Sequence, residues 1–241
     1  MSGLHLDIEV FRAWLITPLP ALALTFAAYA AGAWLYRRAN NFPLLHPSLI
    51  GAIIIAIVLW SMGTHYREYI NGVQLLYLLM GTATVALAIP LYQHFALIRQ
   101  LGMPILITVA VGATIGSLSA VGLAWWLGCG EEILRSLAAK SVTTPIALGI
   151  THEIGGIPEL TNGAVLGTAV IGIVMAPLCF RLFNITDPRV RGMALGIAAH
   201  GMGASRAFEM NSITGAFASL SLCLTGVASA IVIPLVAHWL K

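Results

Sequence analysis

The sequence predicts an all-α, polytopic membrane protein, and three observations support this prediction. Of the 241 residues, 59% are hydrophobic and 9% are charged, whereas about 25% charged residues are typical of a soluble domain. Ten-residue segments of alternating hydrophobicity, typical of membrane β-barrels, do not occur. Cutting the chain at every charged residue leaves uncharged runs of at least 21 residues. A helix of about 20 residues crosses a ~30 Å hydrocarbon core. The runs are 13–36, 39–66, 69–98, 100–130, 160–180 and 210–240.

The N-terminal region is predicted to form a peripheral first span within residues 1–45. Asp7 and Glu9 precede its apolar run, and no small-residue cleavage site follows. A retained span is therefore expected here and not a removed signal peptide. The whole chain, 1–241, is predicted to be a single transmembrane domain, whose later parts are a first half at 46–128, a re-entrant or broken segment at 129–159 and a second half at 160–241.

Two further segments are too short to cross a membrane alone. Only 12 uncharged residues lie between Lys140 and Glu153, and only 14 lie between Arg191 and Arg206. The first is interrupted by Pro145 and the second by four glycines. Short segments broken by glycine or proline are typical of the discontinuous helices that form transport sites.

The distribution of Lys and Arg predicts the topology, because basic residues favour the cytoplasmic side. With the N-terminus outside, Arg37, Arg38 and Arg99 fall inside. Segment 133–156 either crosses fully, which leaves the following arginines outside, or returns to the side it entered. We favour the return, which makes the later basic residues cytoplasmic and gives about seven spans plus one re-entrant or broken segment. Those later residues are Arg181, Arg189, Arg191 and Lys241.

This topology allows an inverted three-plus-three repeat with two broken helices that cross. Spans beginning near residues 47, 73 and 104 would run opposite to spans beginning near 160, 192 and 212. Pro90 breaks the third span, and the segment at 192–210, which this topology counts as a span, is its glycine-broken counterpart. Residue identity does not align the two halves, so the repeat is a hypothesis about shape.

The segment Lys140-Ser141-Val142-Thr143-Thr144-Pro145 is the first candidate binding site. Proline at 145 disfavours a helical Thr144 and releases the carbonyl of Ser141, so a helix is expected to break beside three hydroxyls. A buried lysine requires an anionic partner, which a substrate carboxylate would supply. The alternative is that Lys140 extends to the membrane interface while the hydroxyls bond their own helix.

The segment from His200 to Glu209 is the second candidate. Gly201 and Gly203 let the chain leave helical geometry, and a helix that restarts beyond them aims free N–H groups into the gap, beside Ser205. Arg206 offers a planar fork for a carboxylate, and His200 can donate or carry a proton. The alternative is a local ion pair between Arg206 and Glu209.

The proton-coupling candidates are His200, Glu153 and Glu209. Glu153 lies beside Gly155-Gly156, where a lid or turn is plausible, and a solvated loop charge is the alternative reading. His46, His65 and His94 fall near predicted loops and are expected to be exposed.

Several function classes are disfavoured by the sequence. A net charge of +3 with dispersed basic residues gives no nucleic-acid-binding patch. Cys129, Cys179 and Cys223 are isolated in apolar stretches, so neither disulfides nor a metal site is predicted. No catalytic motif or phosphate loop occurs, so an enzyme is not expected, nor is a cofactor.

The ordered set of motifs resembles the LrgB/CidB family over nearly the whole chain. The residues that carry the resemblance are 42–47, 90–92, 140–147, 154–158, 199–200, 204–206, Glu209 and 215–220. Thr214, Ala204 and His152-Glu153 depart from the pattern expected of that family, which leaves the substrate open more than the fold.

The resemblance implies an oligomeric, multi-pass protein of the cell inner membrane that works with a small LrgA/CidA-type membrane partner. Family members are described as antiholin-like modulators of murein hydrolase activity and autolysis. Relatives such as the plastid glycolate/glycerate translocator carry small monocarboxylates, and the family is similar to elevator carriers.

The combined interpretation is a carrier for a small monocarboxylate of the glycolate, glycerate, lactate or pyruvate class. The anion would rest where the two helix breaks meet, and one bundle would slide against a scaffold that contains the first span and the partner. The rival is a structural regulator of pore formation and autolysis that binds no solute. Sodium coupling, which freed carbonyls would permit, also stays open.

Overall fold

The chain is all-helical in the part that the structure, a computed structural model, describes: residues 13–86, 88–93 and 95–239. Asp7, Glu9, His94 and Lys241, which the sequence-based predictions name, lie outside these residues. A short 3₁₀ turn, Pro43–Leu45, precedes the second helix. The α-helices are α1 (Pro18–Arg38), α2 (Pro47–Ser61), α3 (Tyr66–Gly72), α4 (Gln74–Ala86), α5 (Ala88–Gln93), α6 (Phe95–Trp126), α7 (Glu131–Ala138), α8 (Thr144–Ile154), α9 (Pro158–Leu182), α10 (Pro188–Met210) and α11 (Ser212–Trp239).

Four helices in the described residues are long and apolar enough to cross a membrane. They lie within α1, α6, α9 and α11. A fifth span is possible if α2 and α3, which are bent by 117° at their junction, count as one. The all-α membrane class is therefore confirmed, whereas helix length and composition alone do not test the count of seven spans or the inverted repeat.

The chain divides into two compact units, residues 1–82 and 83–241. In the first unit, α1 packs against α2 and α3. Its buried core is formed by Ala21, Leu59, Tyr69 and Val73. The Thr25 hydroxyl and the Tyr69 hydroxyl share a hydrogen bond of 2.6 Å within this unit.

In the second unit, α7 and α8 form a helical hairpin, which we name hairpin 1 (Glu131–Ile154). Ser136 of α7 accepts a hydrogen bond of 2.7 Å from the N–H of Ile157, just beyond α8. The Gly155 backbone, where α8 ends, lies beside the Arg135 guanidinium. After α8 the chain thus comes back beside the C-terminal end of α7, and the tip of the hairpin lies in the non-helical stretch 139–143 that joins the two helices. This geometry favours the re-entrant alternative for segment 133–156.

Helix α10 also turns back on itself, and we name it hairpin 2 (Pro188–Met210). Its backbone is non-helical at His200, with φ 48° and ψ −128°. A side chain on Gly203 would meet the carbonyl of Leu195, although eight residues separate these positions by about 12 Å in a straight helix. Leu195 also shares a buried cluster with Ala204 and Ala207 of the returning arm.

The return of hairpin 2 corrects the prediction that a span begins near residue 192. Its first arm runs parallel to α11, with Gly192 against Thr214 and Gly196 against Ala218. The second arm therefore comes back to the beginning of α11. As a result, α11 begins on the side of the arginine-rich α9–α10 connection and ends at Trp239, away from that connection. The prediction had placed the end of this last span on the same side as the connection, and the structure does not follow it.

Candidate functional site

The two hairpins approach the middle of α11 from opposite ends. Hairpin 1 packs along the C-terminal half of α11, where Ile150 and Ile154 share a cluster with Ile233 and Ala237. Near its tip, Ile146 contacts Gly226. Hairpin 2 packs along the N-terminal half, as its Gly192 and Gly196 contacts show. Both tips thus lie near the midpoint of this 28-residue helix.

Two neighbouring spans place the tips at the same depth. Gly116 of α6 faces the Ser141 hydroxyl at 2.9 Å from where its Cβ would stand. Gly116 is ten residues from the end of α6 at Trp126, which is about 15 Å or half of the hydrocarbon core. Gly172, in the middle of α9, packs against Ala198 and Ala199 next to the other tip. The two helix breaks therefore meet within the bundle at mid-span.

The tip of hairpin 1 carries an amine and three hydroxyls. The Lys140 ammonium donates to the Ser141 hydroxyl at 3.4 Å, and Ser141 is buried. Thr143 precedes α8, and its side chain makes no capping hydrogen bond. Thr144 and Pro145 occupy the first turn of α8. The first amides of α8 therefore point into the gap without a side-chain acceptor.

The tip of hairpin 2 is formed by His200 and Gly201. Gly201 lies beside the Thr143 hydroxyl, which is 3.9 Å from where a Cβ would stand. The His200 ring faces the Ser141 main chain and the Lys140 ammonium. It is 2% exposed, and neither ring nitrogen has a hydrogen-bond partner among the described residues.

The backbone of His200 is strained, which the sequence does not indicate. A positive φ is uncommon for a residue with a Cβ, and such conformations cluster at ligand sites. Gly201 and Gly203, which we expected to carry the break, are helical. Gly203 has a packing role instead, since a Cβ there would meet the Leu195 carbonyl.

One buried hydroxyl at this depth was missed by the sequence analysis. Thr225 is 1% exposed, and its hydroxyl has no partner among the described residues. It adjoins Gly226, which contacts Ile146 of hairpin 1. A threonine at the centre of the last apolar run was the available signal.

The structure does not bring the other candidates to the tips. Arg206 is ion-paired with Glu209 at 2.6 Å, the alternative that the spacing offered. It lies six residues beyond His200, about 9 Å along the returning arm. Glu153 lines a cleft with His238 near the far end of α11. Ser205, on the returning arm, is exposed.

The geometry of the tips suits a small anion. The helices α8 and 201–210 both begin at the tips, and helix N-termini attract negative charge. Lys140 is the one formally charged side chain among residues 139–143 and 199–201. Because the first arm of hairpin 2 ends there, main-chain carbonyls are also present. Donors, acceptors and one cation thus converge at the tips.

Comparisons with known proteins confirm the resemblance drawn from the motifs. A model of the LrgB-like family matches residues 25–239. The protein named "Uncharacterized protein YwbG" of Bacillus subtilis is 37% identical over 209 residues, which is 86% of this chain and 92% of that protein. The "Antiholin-like protein LrgB" of Bacillus cereus is 31% identical over 221 residues, 91% of this chain and 96% of that protein. No solved structure matches.

Proposed function

This chain belongs to the LrgB-like family, and from that premise we propose that it is a membrane carrier for small monocarboxylates of the glycolate, glycerate, lactate or pyruvate class. One observation carries the proposal: two helix N-termini, a lysine and a buried histidine without a partner meet at mid-span. A bound anion would give the helix N-termini and the histidine a partner and would neutralise the charge of Lys140.

In this proposal the substrate carboxylate binds between the two tips. Lys140 supplies the charge, while Thr143 and the first amides of α8 supply hydrogen bonds. His200 orients the rest of the substrate or relays a coupled proton. Arg206 has no contact with substrate in this arrangement, since it lies on the returning arm.

An elevator-like movement suits a site built from two hairpins. In this mechanism each hairpin separates the site from the water on one side of the membrane. The substrate is released to the other side only after the helices that carry both hairpins have moved together. An LrgA/CidA-type partner in the inner membrane contributes to the scaffold against which these helices move. The active form is an oligomer of the two proteins.

Uptake into proteoliposomes tests the proposal. The full chain, reconstituted with its LrgA-type partner, is expected to accumulate labelled glycolate or pyruvate. Lys140→Gln and Thr143→Val should each lower uptake about tenfold or more, because hydrogen bonds to charged groups contribute about 1.5–3 kcal/mol. Thr108→Val is the matched control, since the Thr108 hydroxyl bonds the carbonyl of its own helix at Pro104.

The alternative function is an antiholin-like modulator of murein hydrolase activity and autolysis that carries no solute. The relatives of Bacillus cereus and Bacillus anthracis are named antiholin-like protein LrgB, which favours it. It predicts no uptake by the reconstituted pair, and it predicts that Thr143→Val and Lys140→Gln leave autolysis unchanged. Uptake that depends on Thr143 and Lys140 would exclude it as the whole function.

A further inference from the structure

A cleft of about 220 Å³ opens between α9 and hairpin 2, away from the tips. Its walls are mostly apolar, and they include Ile173, Ala176, Pro177, Leu195 and Met210. Three arginines line it as well: Arg181, Arg191 and Arg206. An apolar cleft with a cluster of guanidinium groups is suited to a molecule that has both an anionic head and an apolar chain.

The arginines are concentrated at one end of the cleft. Arg181 is the penultimate residue of α9, whereas Ile173 lies eight residues deeper, about 12 Å into the span. The cleft thus runs from the end of a membrane-spanning helix into the depth of the hydrocarbon core. Its charged end lies at the height of lipid headgroups, and its apolar floor lies at the height of acyl chains.

Two of the arginines are held in place by the protein. The Arg191 guanidinium donates to the Ile185 carbonyl at 2.8 Å and lies 5.4 Å from the centre of the Phe180 ring. Arg206 is held by Glu209. With Glu209 as the counter-ion, the three arginines leave a net charge of +2 at this end of the cleft. A phosphate group complements this charge.

The arginines of the cleft also indicate which leaflet of the membrane would supply the lipid. The α9–α10 connection and its flanks carry Arg181, Arg189 and Arg191, which the positive-inside rule assigns to the cytoplasmic side. Anionic phospholipids give the cytoplasmic leaflet its negative surface potential, and basic pockets between spans on that side bind their headgroups.

We propose that this cleft binds one anionic phospholipid of the cytoplasmic leaflet, with the phosphate on Arg181, Arg191 and Arg206 and one acyl chain along Ile173, Ala176 and Leu195. This inference goes beyond the proposed function and does not depend on it, since it involves neither tip. The lipid ties the end of α9 to both arms of hairpin 2.

Native mass spectrometry of the purified, delipidated full-length protein tests the proposal. Dioleoylphosphatidylglycerol is expected to bind with one retained molecule per chain, and dioleoylphosphatidylcholine is expected to bind more weakly. Arg181→Gln should weaken phosphatidylglycerol binding about fivefold, the factor expected of one cation near an anionic headgroup. Arg181→Gln combined with Arg191→Gln should weaken it about 25-fold.

Arg189→Gln is the matched control. Arg189 lies in the same connection but does not line the cleft. Its guanidinium is engaged by Asp187 at 2.8 Å. The substitution should leave the affinity for phosphatidylglycerol unchanged. Equal losses with Arg189→Gln and Arg181→Gln would overturn the proposal, as would equal binding of the two lipids.

Two further binding measurements distinguish a bound lipid from a bound soluble anion. Dihexanoylphosphatidylglycerol should bind more weakly than the dioleoyl lipid, because fewer methylene groups are buried. Excess glycerol phosphate should leave the dioleoyl lipid bound. Displacement by glycerol phosphate, or equal binding of the short and long lipids, would make the cleft a site for a soluble anion and overturn the lipid assignment.

Discussion

Hairpins 1 and 2 reach the same depth, but different chemistry holds each of them. Hairpin 1 is fixed by polar side chains: Ser136 bonds Ile157, while Thr161 bonds Thr151 and the Ser136 carbonyl. Hairpin 2 is fixed by the absence of side chains, since its glycines bring its backbone against α11. The difference teaches that a re-entrant hairpin needs either paired polar groups or close helix contact in a membrane protein. Substitutions in each hairpin can measure how much each kind of contact contributes to stability.

The largest effect is expected at the glycine contacts of hairpin 2. Gly196→Leu would drive a side chain into the Ala218 carbonyl and the Ser221 hydroxyl. It should lower the free energy of unfolding by about 3 kcal/mol or more, as severe overpacking does. SDS titration in mixed micelles measures this. Gly163→Leu is the control, because nothing lies within 4 Å of its Cβ position; equal losses would show that the contact with α11 does not hold hairpin 2.

A smaller loss is expected for the polar contacts of hairpin 1. Ser136→Ala leaves the Ile157 N–H without its acceptor and should cost about 2 kcal/mol of unfolding free energy, within the range for an unpaired buried group. Ser119→Ala serves as the comparison, since the exposed Ser119 hydroxyl bonds only its own helix, at Gly116. If the Ser136 variant were as stable as the Ser119 variant, the claim that polar contacts hold hairpin 1 would be wrong.

The backbone of His200 should give an effect of the opposite sign. His200→Gly removes the cost of a positive φ and should be about 1 kcal/mol more stable than His200→Ala, which keeps a Cβ. Both variants lose the imidazole, so under the proposed function both should lose uptake. Melting temperatures measured in one detergent compare them. An alanine variant at least as stable as the glycine variant would show that the tip is not strained.

The smallest effect concerns pH at the base of hairpin 2. The Arg189 side chain and backbone donate hydrogen bonds to Asp187 and hold the pKa of its carboxyl below the usual value of 3.8. Because the folded pKa is depressed, the contribution of Asp187 to stability is present above about pH 4 and is lost as the pH falls through the folded value. Melting temperatures between pH 7 and 3 should fall less for Asp187→Asn than for the unmodified protein. Parallel curves would contradict this.

The helix breaks could be predicted because their causes are local. Pro145 fits the first turn of a helix, whereas a helix that ran on through it from residue 141 would lose a hydrogen bond. The glycines at 192–203 weaken a second helix. Uncharged run length likewise predicted the positions of α1, α6, α9 and α11, because the hydrocarbon core sets the length of a span.

The direction taken after a break could not be predicted. A kinked helix that continues and a hairpin that returns differ here in the backbone angles of His200, and no residue type at that position specifies them. The placement of Arg206 follows from that turn, since a returning arm carries it away from the tip. Thr225 was overlooked because a lone hydroxyl in an apolar run normally bonds its own helix.

The central claim is that the two tips meet, and a disulfide between them tests it most directly. In a variant in which Cys129, Cys179 and Cys223 are replaced by alanine, Thr143→Cys and Gly201→Cys are introduced together. A Cβ on Gly201 would stand 3.9 Å from the Thr143 hydroxyl, so the two introduced side chains would be in contact. Mild oxidation should cross-link this pair rapidly, whereas Thr143→Cys with Gly163→Cys should stay reduced. Cross-linking no faster than in that control pair would contradict the account.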